Sequence, residues 1–229
     1  MADSIQMGVS VVICCYNSAA RLPETLGHMA RQRVPAHVPW EVIVVNNASK
    51  DDTEAVARQT WAAAGGTAPF QVVAEPTPGL SHAREKGFRT ARYDFVLFCD
   101  DDNWLNDDYV AVGYEVLRAN AQIGALGGHG EAVCEVTPPP WFKNIGFMVF
   151  AMSPQAMQSG EVHDSRGMVY GAGAFIRKSY YNYLKENGFR SRLTDRKGKE
   201  ISSGGDDELC YALRLAGYKI WYDERLYFK

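Results

Sequence analysis

The sequence predicts an α/β fold: a mostly parallel central sheet flanked by helices. Three observations predict it. Continuous apolar runs rich in β-branched residues (Val9–Cys15, Trp40–Val45, Phe95–Cys99) read as strands buried on both faces. Helical stripes alternate with these runs over short connections, the pattern of βαβ units. Three consecutive aspartates, Asp100-Asp101-Asp102, directly follow the run Phe95–Cys99, so a strand delivers a carboxylate cluster to one edge of the sheet. An open parallel sheet binds its ligands outside the carboxyl ends of its strands, and those side chains emerge there.

The elements follow in order. After the strand Val9–Cys15, the residues Leu22, Leu26, Met29 and Ala30 recur at helical spacing, with Pro23 tolerated only in a first turn. Trp40–Val45 is a second strand. Capping residues from Ser49 to Thr53 open a helix that runs through Trp61 and ends at Gly65-Gly66. Phe70–Ala74 is a third strand, Ser81–Ala91 a third helix and Phe95–Cys99 the fourth strand. Tyr109, Val112, Val116 and Leu117 stripe the helix behind the aspartates, and Ile123–Leu126 reads as a fifth strand interrupted by Gly127, Gly128 and Gly130. Thr137 to Arg166 has no clean periodicity but is rich in proline, aromatic residues and methionine, which suits either an adaptable binding wall or core filling under a loop. Val169–Ile176 is a strand, Ser179–Glu186 a helix, and Arg190–Lys199 a basic segment. Gly204-Gly205-Asp206-Asp207-Glu208 opens a helix striped by Leu209, Ala212, Leu213 and Ala216 and stopped by Gly217, before a late strand Tyr218–Tyr222. No repeat or linker divides the 229 residues, which read as one domain: about 1–128 a ligand-binding half and about 129–229 a second half.

Composition narrows the function. A net charge of −3 argues against a nucleic-acid partner. Five cysteines without a CxxC pair, mostly among apolar neighbours, read as reduced, buried thiols of a cytoplasmic protein. The first eight residues lack the apolar stretch of a signal peptide, and no run reaches the eighteen or so apolar residues of a spanning helix. Membrane association is then expected only as a peripheral contact at the inner face.

The chemistry centres on two acidic clusters. Three adjacent aspartates repel one another, and a divalent cation would offset that repulsion; the plain alternative is a solvated acidic turn that caps the next helix. Asp206, Asp207 and Glu208 fall at a helix N-terminus, where the macrodipole favours acids by about 0.3–1 kcal/mol each, so capping accounts for one or two of them. With both clusters on one cleft, the first would hold a cation while the second supplied a general base, a division of labour that suits displacement of a diphosphate from carbon. Arg190, Arg192, Arg196 and Lys197 read either as a solvated charge run or as a supplement to the cation.

Five segments carry a resemblance in register from about residue 9 to 228. These are Val9-Ser10-Val11-Val12-Ile13-Cys14-Cys15-Tyr16-Asn17, Glu41-Val42-Ile43-Val44-Val45-Asn46-Asn47-Ala48-Ser49, Gly79-Leu80-Ser81 with Ala83-Arg84, Asp100-Asp101-Asp102, and Gly205-Asp206-Asp207-Glu208-Leu209 through Gly217-Tyr218. Together they resemble the motifs of family 2 glycosyltransferases, with the aspartate triplet in the place of the DxD motif. The resemblance implies a GT-A fold, a Rossmann-like sandwich with a smaller acceptor-side portion. It further implies Mn²⁺ or Mg²⁺, a nucleotide-diphosphate sugar donor, inversion at the anomeric carbon and an acceptor hydroxyl on a surface polysaccharide, a protein glycan or a lipid-linked glycan. By position, Asp102 and Asp100 would bind metal, Asp207 would be the base with Asp206 the other candidate, and Cys15, Tyr16, Asn17, Asn46, Arg84, Asp100 and Asp101 would surround the nucleotide.

Two positions depart from the family pattern. Asn46 stands where relatives have an aspartate that accepts from the nucleobase; an amide still accepts but also donates. A UDP-sugar remains the favoured donor, with GDP- and dTDP-sugars as alternatives. Relatives also carry a histidine metal ligand shortly past the late strand. The chain ends at Lys229 before it, and none of His28, His37, His82, His129 or His163 takes its place, so the expectation is a shortened C-terminus or a site completed by water. A sugar-1-phosphate nucleotidyltransferase would need a Gly-rich basic loop after the first strand, and a dinucleotide oxidoreductase a GxGxxG; neither is present. The alternative of another class is a catalytically inactive sugar-nucleotide or glycan-binding module on the same fold.

Overall fold

The computed structural model describes residues 6–142, 144, 153–162, 167–193, 195 and 204–229. The first half alternates as β1 (Gln6–Cys15), α1 (Leu22–Ala30), β2 (Trp40–Asn47), α2 (Thr53–Ala63), β3 (Phe70–Glu75), α3 (Leu80–Thr90), β4 (Tyr93–Asp100), α4 (Tyr109–Ala119) and β5 (Ile123–Gly130). The other half adds β6 (Gly160–Glu161), β7 (Ala174–Arg177), α5 (Lys178–Glu186), α6 (Gly205–Leu215) and β8 (Lys219–Phe228). One sheet of eight strands carries the order β3-β2-β1-β4-β7-β5-β8-β6. Strands β1 to β4 are parallel, as are β5 and β8; β7 runs antiparallel between β4 and β5, and β6 antiparallel on β8.

The pleat explains why the strand sequences are apolar throughout. Val9, Val11, Ile13 and Cys15 of β1 face one core with Leu22, Leu26 and Met29 of α1, Trp61 of α2, and Tyr109 and Leu117 of α4. Val12 faces the other core with Ala83 and Phe88 of α3, Leu184 of α5, and Cys210 and Leu213 of α6. A strand covered on both faces needs no polar alternation. Each fully buried Val, Leu, Ile or Phe contributes roughly 1.5–3 kcal/mol. Two helices approach the sheet at glycines: a Cβ on Gly87 of α3 would lie 2.4 Å from Val12 Cγ1, and one on Gly113 of α4 would lie 2.1 Å from Phe175 Cζ.

Three boundaries differ from the sequence reading. β5 continues past Leu126 because its glycines admit neighbours: a Cβ at Gly128 would lie 1.9 Å from the Leu226 carbonyl, and one at Gly127 2.6 Å from Val169 Cβ. The strand expected from Val169 begins only at Ala174, since Gly173 is left-handed (φ 68°) and the residues before it turn toward α6. The late strand runs on to Phe228, and its end pairs with the loop behind the aspartates through Trp104 N to Lys229 O (2.5 Å) and Lys229 N to Trp104 O (3.0 Å). Four of the five thiols are buried or half-buried, but Cys134 is exposed.

Sequence order reverses between β1 and β4, so the crevice outside their carboxyl ends is a topological switch point. The loops around it are tied side chain to backbone. Asn17 N donates to Ser49 Oγ (3.0 Å), Lys50 N to Asn17 Oδ1 (2.8 Å), Ser18 N to Thr53 Oγ1 (2.8 Å) and Ala19 N to Asp51 Oδ2 (3.0 Å). Asn17 (φ 51°) and Ala48 (φ 54°) both adopt left-handed backbone here, which costs an L-residue such as alanine about 1–2 kcal/mol. Buried Asn47 closes the far wall: Nδ2 donates to the carbonyls of Glu75 (3.1 Å) and Thr77 (2.6 Å), and Oδ1 accepts from Gly79 N (2.9 Å).

Urea unfolding midpoints test this packing. Gly113→Ala gains about 1 kcal/mol of helix propensity but forces a methyl into Phe175, so it should destabilise by about 1–3 kcal/mol. Gly27→Ala on α1, where the nearest atom to a new Cβ is Arg31 Nη1 at 3.6 Å, should be neutral or stabilising by up to about 1 kcal/mol. Equal shifts for the two would refute the packing account. Asn47→Asp turns a carboxylate oxygen against two carbonyls and should cost about 2–4 kcal/mol; unchanged stability would contradict the assigned network.

Candidate active site

Strand direction decides where the acidic clusters go. β4 ends at Asp100, opposite Cys14 of β1, and so presents its aspartates at the carboxyl edge. α6 feeds β8, which is parallel to β5, so the first turn of α6 must begin at the same edge. Asp206, Asp207 and Glu208 occupy that turn. Cys15 and Asn46 are paired neighbours at the ends of β1 and β2. The cysteine side chain is buried in the α1–α2–α4 core, so any contact from Cys15 toward the crevice is made by its backbone. Tyr16 and Asn17 are exposed at the mouth, and Asn46 Oδ1 accepts from Ser49 N at 3.4 Å.

The aspartate triplet is a turn with divided duties. Asn103 closes it: its Oδ1 accepts from Asp100 N (3.0 Å) and its own N donates to Asp100 O (3.2 Å). Asp101 braces α1, accepting from Ser18 Oγ and from Arg21 Nη2 (2.7 Å), while Thr25 Oγ1 donates to its carbonyl (2.9 Å). These partners give Asp101 a bracing role. Asp102 is exposed, and Asp100 half-buried. Burial pushes the Asp100 carboxyl up to about 6; Arg84 opposes this, and Asp102, Asp206 and Asp101 add to it. Burial also pushes the Cys14 thiol up to about 12 and raises Cys15 and Cys99 well above the usual thiol range, so these thiols stay protonated and neutral.

The α6 cluster is held from two sides. Asp206 Oδ1 accepts from Arg84 Nη1 (2.6 Å) and its Oδ2 from Gly171 N (2.9 Å). Glu208 accepts from Ser191 Oγ (2.9 Å), Arg192 N (2.9 Å) and Leu193 N (3.2 Å). Its carboxyl lies below the usual range, because these hydrogen bonds outweigh the opposing effect of burial. Asp207 sits between the two anchored neighbours.

Arg84 joins the clusters. Besides Asp206, its Nη1 donates to Asp195 Oδ2 (3.1 Å), and its guanidinium is the main charge opposing the neutralisation of Asp100. Burial alone would weaken its charge, but Asp206, Asp195 and Asp100 outweigh that. Arg84, which the resemblance assigns to the nucleotide, is thus placed against carboxylates. Among the described residues, one guanidinium is set against Asp100, Asp195 and Asp206. Beneath it an apolar cleft lined by Phe88, Phe98, Ile176, Tyr181 and Leu209 runs between α3, α5 and α6 and desolvates the cluster.

Of the basic segment, Arg190 caps α5 by donating to the carbonyls of Lys185 (2.8 Å) and Phe189 (2.7 Å), and Arg192 is exposed. Arg196 and Lys197 lie outside the described residues, as do His163 and much of the 137–166 loop. Within that loop buried Gln155 donates to Gly128 O and accepts from Tyr170 N, both at 2.5 Å, which fits core filling. Sequence reasoning missed Asp195 and Asn47. Asp195 is embedded in a basic segment with no local pattern to mark it, and Asn47 falls within the second family-like segment, where the role went to its neighbour Asn46.

A divalent cation fits the donor set in chemistry: Asp100 and Asp102 are hard oxygen donors, and Mg²⁺ in particular is usually held by one or two carboxylates together with substrate phosphates. Among the described residues, no three histidine, cysteine or acidic side chains form a cage by themselves.

Comparison with known proteins gives the family and the fold. The model for glycosyl transferase family 2 matches residues 10–184, more than half of the chain. The poly-beta-1,6-N-acetyl-D-glucosamine synthase of Staphylococcus epidermidis is 26% identical over 123 residues, 53% of this chain and 28% of that protein. The putative glycosyltransferase EpsH of Bacillus subtilis is 30% identical over 101 residues, 44% of this chain and 28% of its own length. The chain therefore aligns with little more than a quarter of either relative. Among solved structures, S. aureus TarS 1-349 in complex with UDP-GlcNAc superposes with a TM-score of 0.70 at 20% identity, covering 97% of this chain and 57% of that one. The mannosyltransferase PcManGT of Pyrobaculum calidifontis, in complex with GDP-Man and Mn²⁺, gives 0.68 at 23% identity, covering 97% and 56%. The family model covers most of the chain and the fold agrees with it: the chain belongs to glycosyl transferase family 2.

Proposed function

We propose that this chain transfers one sugar from a nucleotide-diphosphate donor to an acceptor hydroxyl with inversion at the anomeric carbon. The observation that carries the reading is the electrostatic contact between the two acidic clusters: Asp100 at the end of β4 feels both Arg84 and Asp206 at the start of α6. Carboxylates about a hundred residues apart in the chain are read here as serving one crevice at the switch point of the sheet.

The residues divide the work. Tyr16, Asn17 and Asn46 line the side of the crevice where a nucleobase and ribose would lie, and the exposed Tyr16 ring offers a stacking face. Asp100 and Asp102 would hold Mn²⁺ or Mg²⁺, which when bound neutralises charge developing on the diphosphate. Asp207 takes the proton of the acceptor hydroxyl as that oxygen bonds to the anomeric carbon. The carbon–oxygen bond to the diphosphate breaks on the opposite face, and its electron pair leaves with the phosphate. Asp206 is bound to Arg84 and to the Gly171 N–H, and Asp207 follows it in the same first turn of α6.

UDP-sugars are the favoured donors, consistent with the TarS neighbour holding UDP-GlcNAc, and GDP- and dTDP-sugars remain compatible with Asn46. The synthase relatives point to a glycan acceptor in polysaccharide synthesis, on a free or lipid-linked chain. No helix among the described residues is long and apolar enough to cross a membrane, and we place the reaction in the cytoplasm, with peripheral contact at the inner membrane face.

A thermal-shift panel of UDP-, GDP- and dTDP-sugars with and without Mn²⁺ should show metal-dependent stabilisation by one nucleotide class, because a ligand that binds only the native state raises apparent stability. Chelation with EDTA should abolish it. Asp102→Ala should weaken Mn²⁺-dependent binding of that nucleotide about tenfold or more, equivalent to about 1.4 kcal/mol. Asp207→Asn should keep that binding and lose turnover by about 10²–10⁴-fold. Wild-type transfer by Asp207→Asn would remove the base assignment. Binding without nucleotide release by the wild type under any condition would establish an inactive binding module instead.

A further inference from the structure

Asp195 is drawn into the core of the crevice by three features that serve no purpose for a loop aspartate. It is buried, only 7% exposed, although its neighbours in sequence are basic. Its backbone is left-handed (φ 51°), a conformation that aspartate tolerates better than most residues but that still costs energy. Its two carboxylate oxygens have separate partners: Oδ1 accepts from Gly205 N (2.9 Å) and Oδ2 from Arg84 Nη1 (3.1 Å). The Gly205 N–H is an orphan of the opening turn of α6, satisfied here from ten residues upstream, where the helix's own cap, Gly204, has no side chain to offer. The Arg84 N–H belongs to the guanidinium that also grips Asp206.

Two glycines make room for this arrangement. A Cβ on Gly205 would lie 2.2 Å from Asp195 Oδ2, and a Cβ on Gly171 would lie 2.4 Å from both Arg84 Nη2 and Asp206 Oδ1. Asp195, Arg84 and Asp206 thus form a closed ring from α3 to the first turn of α6, fastened to the backbone at Gly205 and Gly171. Asp207 is the next residue in that turn. Its direction is set by the turn, and the turn is set by the ring.

We propose that Asp195 is a positioning residue for the transfer reaction: by fixing the first turn of α6 against Arg84 it aims the carboxylate of Asp207 at the acceptor hydroxyl. The inference rests on the reading of Asp207 as base and adds to it a residue that touches neither substrate nor the reacting atoms.

The test uses the whole chain, with Mn²⁺ and whichever of UDP-N-acetylglucosamine and GDP-mannose it hydrolyses or transfers faster. Asp195→Ala should lower kcat about 10–100-fold, the scale of a misplacement of about 1 Å at a reacting group, with the donor KM unchanged within about twofold. Asp195→Asn keeps an acceptor for Gly205 N and should recover an intermediate rate. Gly205→Ala displaces the same carboxylate and should reproduce the loss, and the double variant should be no worse than either single one. Amide exchange over residues 205–210 should accelerate in Asp195→Ala while α4 stays protected, which reports on the turn without any donor. A wild-type kcat in Asp195→Ala, a loss confined to KM, or unchanged exchange in α6 overturns the proposal. Asp207→Asn separates the two claims: if that variant transfers normally the base assignment has failed, whereas an inactive Asp207→Asn beside a fully active Asp195→Ala defeats the positioning role alone.

Discussion

One half-buried guanidinium holds the site together. Arg84 projects from the first half of the chain and is balanced by Asp206 and Asp195 from the other half, with Asp100 close behind. An arginine suits this position because its planar fork can serve separate carboxylates while remaining charged, where a buried lysine is readily discharged. The arrangement is costly to open. Removing one partner leaves the remaining charges with less compensation beside an apolar cleft. Here that cleft is lined by Phe98, Phe88 and Leu209, so the ion pairs tie the two halves beside the acidic clusters.

The same principle explains why each acidic triplet has three members. Adjacent like charges are unfavourable, and both triplets relieve this by giving some of their members fixed partners. Asp101 is taken by Ser18 and Arg21 of the α1 end, Asp206 by Arg84 and Gly171, and Glu208 by the backbone at 192–193. The carboxylates assigned to chemistry are then held in place by their neighbours along the chain. Rigid backbone is used in the same way: left-handed Asn17 and Ala48 turn the ends of β1 and β2 sharply enough for their loops to be laced together by Ser49, Asp51 and Thr53.

Much of this was legible in the sequence. The apolar runs revealed the parallel core because a strand covered on both faces cannot alternate, and the position of Asp100 to Asp102 behind such a run placed them at the carboxyl edge. Less legible was whatever depends on two distant segments meeting. Nothing local distinguishes Asp195 from a solvated aspartate in a basic stretch, because its partners lie on α3 and at Gly205. Glycines at 127 and 128 read as interruptions of β5, yet they are sites where Leu226 and Val169 approach too closely for a side chain. The antiparallel insertion of β7 was equally hidden, since a four-residue buried strand carries no mark of direction. Motif matching singled out Arg84 for the nucleotide, and its partners in the fold are carboxylates.

The central claim is that the carboxylates after β4 and the first turn of α6 serve one crevice, close enough for a cation at the β4 turn to be sensed at α6. Paramagnetic broadening by Mn²⁺ measures this directly, with Mg²⁺ as the diamagnetic reference and UDP present to complete the site. The account predicts that amide signals of Gly205, Asp206, Asp207 and Glu208 broaden together with those of Asp100 to Asn103, and more strongly than those of Leu117 to Ala119 at the far end of α4. Broadening confined to the β4 turn, with the α6 signals untouched, would contradict it.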